Sequence, residues 1–119
     1  MHGLWFEGGS LQLKDDLPLP VVRDEWTLIK VSLAGICSTD LAILQGYASF
    51  KGVLGHEFVG TVVQSNSAAI KVGDRVVGEI NAKCGHCDVC IGPSPPCMAR
   101  NHCPRRKCLG IRDLNGKFN

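Results

Sequence analysis

The sequence has little net charge, no long apolar run and no recognisable leader. Its 119 residues carry a formal charge of +2, which gives no general attraction to nucleic acid or to an anionic membrane. No stretch approaches the ~18 consecutive apolar residues of a membrane span. The first residues, MHGLWFEGGSLQLKDD, lack the basic start and apolar core of a secretory signal. These absences predict a soluble cytoplasmic protein with no nucleic-acid or membrane partner, and the length suits one domain.

The sequence also lacks the basic clusters that bind nucleic acid and the glycine pattern that binds dinucleotides. The one basic run, Arg105-Arg106-Lys107, is too short to indicate nucleic-acid binding and is typical of a solvated loop. No G-x-G-x-x-G turn for dinucleotide phosphate is present, and there is no internal repeat or low-complexity linker. The sequence therefore assigns no cofactor-binding residue.

Short strands separated by glycine and proline turns dominate the pattern. Residues 25–35 alternate in period two, residues 56–66 form a second strand with Gly60 inside, and residues 72–80 read as a turn and a third strand. A glycine within a strand indicates a bulge or a close backbone approach. This spacing predicts a mostly β, barrel-like domain, with aromatic core residues at Trp5, Phe6, Trp26, Phe50 and Phe58.

One convincing helix follows the first of these strands, over residues 38–46. Ser38 or Thr39 can cap its start, and Asp40 lies in its first turn, where the helix dipole favours a negative charge. Gly46 is typical of the position just after a helix. The helix therefore begins directly after Cys37.

Six of the seven cysteines lie between Cys84 and Cys108. The cytosol keeps thiols reduced, and an odd number of cysteines cannot pair fully within one chain, so metal is favoured over disulfides. Cys84, Cys87 and Cys90 are spaced as C-x2-C-x2-C, which lets their thiolates converge on one ion. A fourth thiolate would complete a closed tetrahedral site for structural zinc.

The fourth ligand is not fixed by spacing alone. The downstream candidates are Cys97, Cys103 and Cys108, with His86 and His102 as substitutes. An iron–sulfur cluster is a second interpretation, because Cys103-Pro104 is also typical of ferredoxins. In ferredoxins the fourth cysteine follows the third after three residues, and Ser94 stands there in this chain. Zinc is the preferred prediction.

Cys37 and the pair His56-Glu57 are a second set of metal-binding residue types. A lone cysteine after a strand is normally a small buried hydrophobic residue, and a His-Glu pair is normally a turn or a surface pair. The pair is not part of an H-E-x-x-H motif, because Gly60 occupies the last position. From the residues alone, a metal pair and two structural residues both stay open.

Four segments of the chain form an ordered set that is specific for one protein family. In chain order they are GICSTDLAILQG, VLGHEFVGTVV, KVGDRVVGE and CGHCDVC. Together they resemble the zinc-containing alcohol dehydrogenases of the medium-chain dehydrogenase/reductase superfamily, over nearly the whole chain. The resemblance implies a GroES-like, mostly β barrel with one or two short helices and a zinc-binding cysteine lobe.

The resemblance also implies roles for individual positions. Cys37 and His56 correspond to two of the three protein ligands of a catalytic zinc. Glu57 corresponds to a carboxylate beside that metal. Asp40 corresponds to the carboxylate that holds the histidine in the correct tautomer, and Thr39 to the hydroxyl that contacts the substrate oxygen and starts a proton relay.

In the same family the cysteine cluster is a structural zinc lobe, here residues 84–108. The family's fourth cysteine follows the third after about seven intervening residues, where this chain has Met98. Alignment of the segment RNHCPRRKCLGI makes Cys103 the fourth ligand, after an insertion near GPSPP. Cys97 is the alternative, one position short of the usual spacing, and Cys108 is a spare thiol in the following strand.

The resemblance further implies that residues 1–119 are the N-terminal catalytic domain of a longer protein whose Rossmann domain binds NAD or NADP. Such a parent protein oxidises a small alcohol or polyol and is usually a homo-oligomer, and the isolated domain is expected to be inactive. The alternative function is a self-standing GroES-like zinc-binding module with a structural or binding role.

Overall fold

The computed structural model describes residues 1–93 and 95–116, except for the side chains of Pro96 and Cys97. Short strands predominate, as the sequence predicts. The strands are β1 (Gly3–Glu7), β2 (Ser10–Lys14), β3 (Thr27–Gly35), β4 (Gly52–Val53), β5 (Glu57–Ser65), β6 (Arg75–Val77), β7 (Asn81–Ala82), β8 (Lys107–Leu109) and β9 (Asp113–Leu114). The helices are α1 (Ser38–Leu44), α2 (Asp88–Ile91) and α3 (Pro96–His102), with a 3₁₀ turn at Tyr47–Ser49.

The strands form three small sheets of three strands each within the described residues. Their orders are β2-β1-β4, β3-β5-β6 and β7-β8-β9, and all pairs are antiparallel except β8 with β9. No helix in the described part of the chain is long and apolar enough to cross a membrane. The mostly β prediction is confirmed.

The central pair, β3 and β5, positions the residues that the resemblance singled out. The two strands run antiparallel from the pair Thr27–Ser65 to the pair Gly35–Glu57. Gly60 lies beside a shift in register between Val31 and Leu33, and a Cβ on Gly60 would lie 2.5 Å from the Lys30 carbonyl oxygen. The glycine thus accommodates both a bulge and a close backbone approach, as its place inside a strand predicts.

Helix α1 begins at Ser38, within the predicted range 38–46, but the residue that caps it differs from the prediction. Cys37 is the N-cap, with extended backbone angles, so the prediction that Ser38 or Thr39 caps the helix is wrong. The Asp40 carboxylate reaches back and accepts the Cys37 N–H at 2.8 Å. Gly46, with a φ of 98°, follows the helix end as predicted, because a left-handed angle favours glycine.

The core is small and lies against α1. Phe6, Ile43, Phe50 and Leu54 pack together, with Ile111 against them. Ile43 is completely buried, which fixes α1 and therefore the residues at its start. The aromatic prediction holds for Phe6 and Phe50 and is wrong for Trp26, whose side chain is 43% exposed at the beginning of the β3 region.

Candidate metal centres

Cys37, His56 and Glu57 meet at one end of the β3–β5 pair. Cys37 follows β3 by two residues, and His56 directly precedes β5, so the pairing of Gly35 with Glu57 brings them together. One ligand atom from each of the three side chains lies within 4.8 Å of the others. Cysteine, histidine and carboxylate are the donor types that zinc accepts, and the set fits a single ion.

Asp40 connects the two ligand types of this group. One carboxylate oxygen, Oδ2, accepts the Cys37 N–H, while the other, Oδ1, lies 3.4 Å from Nδ1 of His56. Both side chains are only 4% exposed, and neither Oδ1 nor Nδ1 has a hydrogen-bond partner among the described residues. A buried carboxylate facing one ring nitrogen leaves the other nitrogen for a metal, which is how outer-shell partners orient histidine ligands.

Hydroxyl groups surround the Cys37 sulfur on its helix side. The Cys37 thiol donates towards Thr39 Oγ1 at 3.7 Å, and Ser38 Oγ lies 4.0 Å from the same sulfur. The sequence predicts both a helix start and a functional hydroxyl at Thr39. In the structure Thr39 lies in the first turn of α1 and faces the Cys37 thiol.

The second group consists of four thiols within 4.8 Å of one another, those of Cys84, Cys87, Cys90 and Cys103. Sulfur–sulfur distances are 3.4 Å for Cys87–Cys90 and 3.8 Å for both Cys84–Cys90 and Cys87–Cys103. Four sulfurs placed ~2.3 Å from a tetrahedral zinc lie about 3.8 Å apart. The spacing fits one ion and leaves no room for a multi-iron cluster. None of the described cysteines forms a disulfide.

Two of these thiols have strongly perturbed acidity. Hydrogen bonds from the backbone N–H groups of His86 and Cys87 lower the pKa of Cys84 to about 6. Burial, together with the neighbouring Cys90 thiol, raises the pKa of Cys87 to about 11. Four adjacent sulfurs cannot all ionise without a cation to balance them, so this lobe is built for a positive charge.

Among the candidates whose side chains the structure describes, Cys103 takes the fourth position. Cys103, at the end of α3, is 2% exposed and its sulfur also accepts the Cys84 N–H at 3.5 Å. The side chain of Cys97 lies outside the described residues. His86 uses Nδ1 towards the Cys84 carbonyl and Nε2 towards Arg105, both at 2.9 Å. Cys108 lies in β8 as predicted, where its thiol donates to Asn81 Oδ1 at 3.2 Å.

Sequence reasoning missed a cavity beside the Cys37 group. This cavity, of about 600 Å³, lies between the start of α1 and strands β7 and β8. Its lining includes Thr39 on one side and Arg106 on the other. The interpretation of the basic run as a uniformly solvated loop is therefore wrong. Arg105 and Lys107 are exposed, but Arg106 is half-buried, a difference that only the pairing of β7 with β8 reveals.

The fold is a small β domain with two groups of side chains that could each hold a metal ion, and comparison with known proteins identifies its family. The model of the alcohol dehydrogenase GroES-like domain matches residues 23–119. This chain belongs to that family. The prediction of a GroES-like fold and the family resemblance are both confirmed.

Curated relatives and solved structures support the same assignment. The D-arabitol-phosphate dehydrogenase of Enterococcus avium is 41% identical over an alignment covering 87% of this chain and 29% of that protein. The L-threonine 3-dehydrogenase of Xanthomonas oryzae pv. oryzae (strain MAFF 311018) is 35% identical, with coverage of 98% and 32%. The chain thus spans about a third or less of the length of these relatives.

Among solved structures, the alcohol dehydrogenase of Thermus sp. ATN1 superimposes with a TM-score of 0.80 at 31% identity, covering 98% of this chain and 35% of that one. A candidate zinc-binding dehydrogenase from Sinorhizobium meliloti 1021, solved with NADP, gives a TM-score of 0.78 at 30% identity, with coverage of 98% and 33%. Both comparisons extend the family assignment to the fold as a whole.

Proposed function

We propose that this chain is the catalytic-domain portion of a zinc-dependent, NAD(P)-linked dehydrogenase that oxidises an alcohol or polyol. The observation that carries the proposal is the buried contact between Asp40 and His56 beside the Cys37 sulfur. A purely structural zinc module needs one closed site. It has no use for a second group whose histidine is oriented by a buried carboxylate.

In this proposal Cys37 and His56 hold the catalytic zinc, and Glu57 supplies a carboxylate next to it. When bound, the zinc acts as a Lewis acid towards the substrate hydroxyl. Asp40 fixes the proton of His56 on Nδ1, so that the opposite nitrogen is free to bind metal. Thr39, which lines the cavity, contacts the substrate oxygen at Oγ1, takes up its proton there and releases its own hydroxyl proton to solvent water.

The four-thiol lobe has a separate role as scaffolding. Cys84, Cys87, Cys90 and Cys103 together hold a structural zinc, and the set is closed, with no position for a substrate. Zinc bound in this way contributes directly to the free energy of folding. The short sulfur–sulfur distances support Cys103 as the fourth ligand and support zinc over an iron–sulfur cluster.

The proposal leaves nicotinamide binding to a part of the protein beyond this chain. Residues 1–119 form the catalytic domain with its lobe at residues 84–108, and the Rossmann domain that takes NAD or NADP is expected elsewhere in a longer protein. The isolated chain is therefore proposed to be inactive. Cytoplasmic location and a homo-oligomeric parent stay predictions from the sequence.

The test compares cysteine variants in the full-length protein, with zinc counted by elemental analysis and alcohol oxidation followed by formation of reduced nicotinamide. Cys37→Ala is expected to abolish oxidation and remove one zinc while the melting temperature stays near that of the wild type. Cys84→Ala is expected to remove the other zinc and to lower the melting temperature. Cys108→Ser, which removes a thiol outside both groups, should keep two zinc ions.

Normal turnover by Cys37→Ala would exclude the catalytic assignment. A full-length protein that binds one zinc, in the thiol lobe, and oxidises no alcohol with either nicotinamide would instead favour the alternative function, a zinc module with a structural or binding role.

A further inference from the structure

The cavity between α1 and strands β7 and β8 carries a charge that the proposed chemistry at zinc does not use. Arg106 is the one charged residue among the described residues that line this cavity. The remaining lining is neutral and includes the hydroxyl-bearing residues Ser38, Thr39 and Tyr47. No carboxylate therefore compensates the guanidinium from within the cavity wall.

Arg106 is held in place but is not neutralised. Its Nη1 donates to the Asn101 carbonyl oxygen, and its own carbonyl accepts a bond from Arg112 at 2.8 Å. No acidic side chain of the described residues forms an ion pair with it, although Arg100 within α3 is paired with Glu79. Its Nε is buried and has no acceptor within the described parts of the chain.

An unpaired, half-buried guanidinium is costly unless something completes its hydrogen bonds. Arginine presents five N–H donors in a planar fork that matches the oxygens of phosphate and carboxylate groups. A bound oxyanion would accept hydrogen bonds from the Arg106 N–H groups that have no acceptor among the described residues. The same cavity reaches Thr39, whose hydroxyl lies 3.7 Å from the Cys37 sulfur.

We propose that Arg106 is a specificity-determining residue that binds an oxyanion, a phosphate monoester or a carboxylate, carried by the alcohol substrate at the end away from Thr39. This inference rests on the proposed function for the position of the reacting hydroxyl. It assigns the substrate class: a short anionic alcohol, with its hydroxyl at Thr39 and its charged group at Arg106.

The experiment uses the full-length protein and begins with binding alone. Calorimetric titration with inorganic phosphate and with acetate compares the wild type, Arg106→Gln, Arg106→Lys and the control Lys107→Gln. Lys107 is the exposed neighbour, so its loss makes the same change in net charge away from the cavity. Arg106→Gln is expected to weaken binding by about 10- to 100-fold, the worth of a charge-assisted hydrogen bond. Arg106→Lys should weaken it less, and Lys107→Gln should not.

Comparing the affinities for phosphate and acetate identifies the charged group. The anion that binds more tightly indicates whether the substrate carries a phosphate or a carboxylate. Kinetics then compares ribitol, ribitol 5-phosphate and ribonate. For the preferred anionic alcohol, Arg106→Gln is expected to raise KM about tenfold or more with little change in kcat. For neutral ribitol, Arg106→Gln should raise KM by a smaller factor than for the anionic alcohol, and Lys107→Gln should leave both constants unchanged.

Absence of anion binding by the wild type, or equal binding by Arg106→Gln, overturns the inference, as does an equal loss in Lys107→Gln. Failure of the proposed function has a different signature. In that case the full-length protein oxidises no alcohol, while phosphate or acetate binding still depends on Arg106.

Discussion

Replacement of Asp40 by asparagine tests the link between the helix cap and the proposed catalytic metal. The carboxylate has two contacts in one buried position. Oδ2 accepts the Cys37 N–H at 2.8 Å, and Oδ1 lies 3.4 Å from Nδ1 of His56. Asparagine keeps the size of the side chain but turns one of these two acceptors into a donor.

The size of the effect follows from which contact is lost. The amide oxygen can still accept the Cys37 N–H, so the NH₂ group then faces His56. Two donors cannot share that contact, and the ring proton moves from Nδ1 to the nitrogen that would bind zinc. Both side chains are only 4% exposed, so water cannot relieve the conflict. Loss of such a partner typically lowers metal affinity about 10- to 100-fold, or ~1.4 to 2.7 kcal/mol.

The assay is a competition titration of the full-length zinc protein with a chelator. It measures the zinc affinity of the proposed catalytic site, which is expected to lose its ion before the four-thiol site does. Asp74→Asn is the matched control, because Asp74 accepts the Lys71 N–H at 2.8 Å across the same three-residue spacing but is exposed and forms no ion pair with a histidine of the described residues. Unchanged affinity in Asp40→Asn would refute the reasoning. An equal loss in Asp74→Asn would show that the change in net charge, and not the contact of Asp40 with His56, is responsible.

Two further predictions concern the fold and the thiol lobe. Gly60→Ala should lower stability by about 1–3 kcal/mol in thermal unfolding, because the new Cβ would lie 2.5 Å from the Lys30 carbonyl oxygen. The neighbouring Thr61→Ala should cost less, and a melting temperature unchanged in Gly60→Ala would contradict the close approach. In metal-free protein at pH 7, iodoacetamide should modify Cys84 before Cys87, as read by peptide mass spectrometry. The backbone N–H groups of His86 and Cys87 lower the pKa of Cys84 to about 6, whereas burial raises that of Cys87 to about 11. Labelling of Cys84 should fade as the pH falls below about 6, and zinc should protect both thiols; faster labelling of Cys87 would contradict these pKa shifts.

Local patterns in the sequence were sufficient for much of the fold. Period-two alternation located β3, and residues 56–66 were correctly predicted as a second strand, whose glycine indicated a bulge or a close backbone approach. The regular spacing of Cys84, Cys87 and Cys90 was enough to predict that their thiols converge, because a short segment joins each cysteine to the next. No knowledge of the fold was needed for that prediction. These features depend on neighbours in the chain.

Features that depend on distant residues were missed or misread. Arg106 looked like part of a solvated run, because its half-burial arises only when β8 pairs with β7 and α1 closes the other side of the cavity. Trp26 looked like a core residue, yet it precedes β3, where nothing covers it fully. The contact between Asp40 and His56 joins residues sixteen positions apart; the family resemblance implied it, but spacing alone could not distinguish it from a simple helix cap.

The thiol lobe draws three of its sulfurs from one short segment and the fourth from the end of α3. Joining Cys90 to Cys103 closes a loop of thirteen positions instead of the eight typical of the family. The entropy of loop closure grows only with the logarithm of length, so the longer loop costs about 0.4 kcal/mol more. Insertions between these two cysteines are therefore nearly neutral in free energy, and related chains can vary in length there while keeping the four sulfurs together.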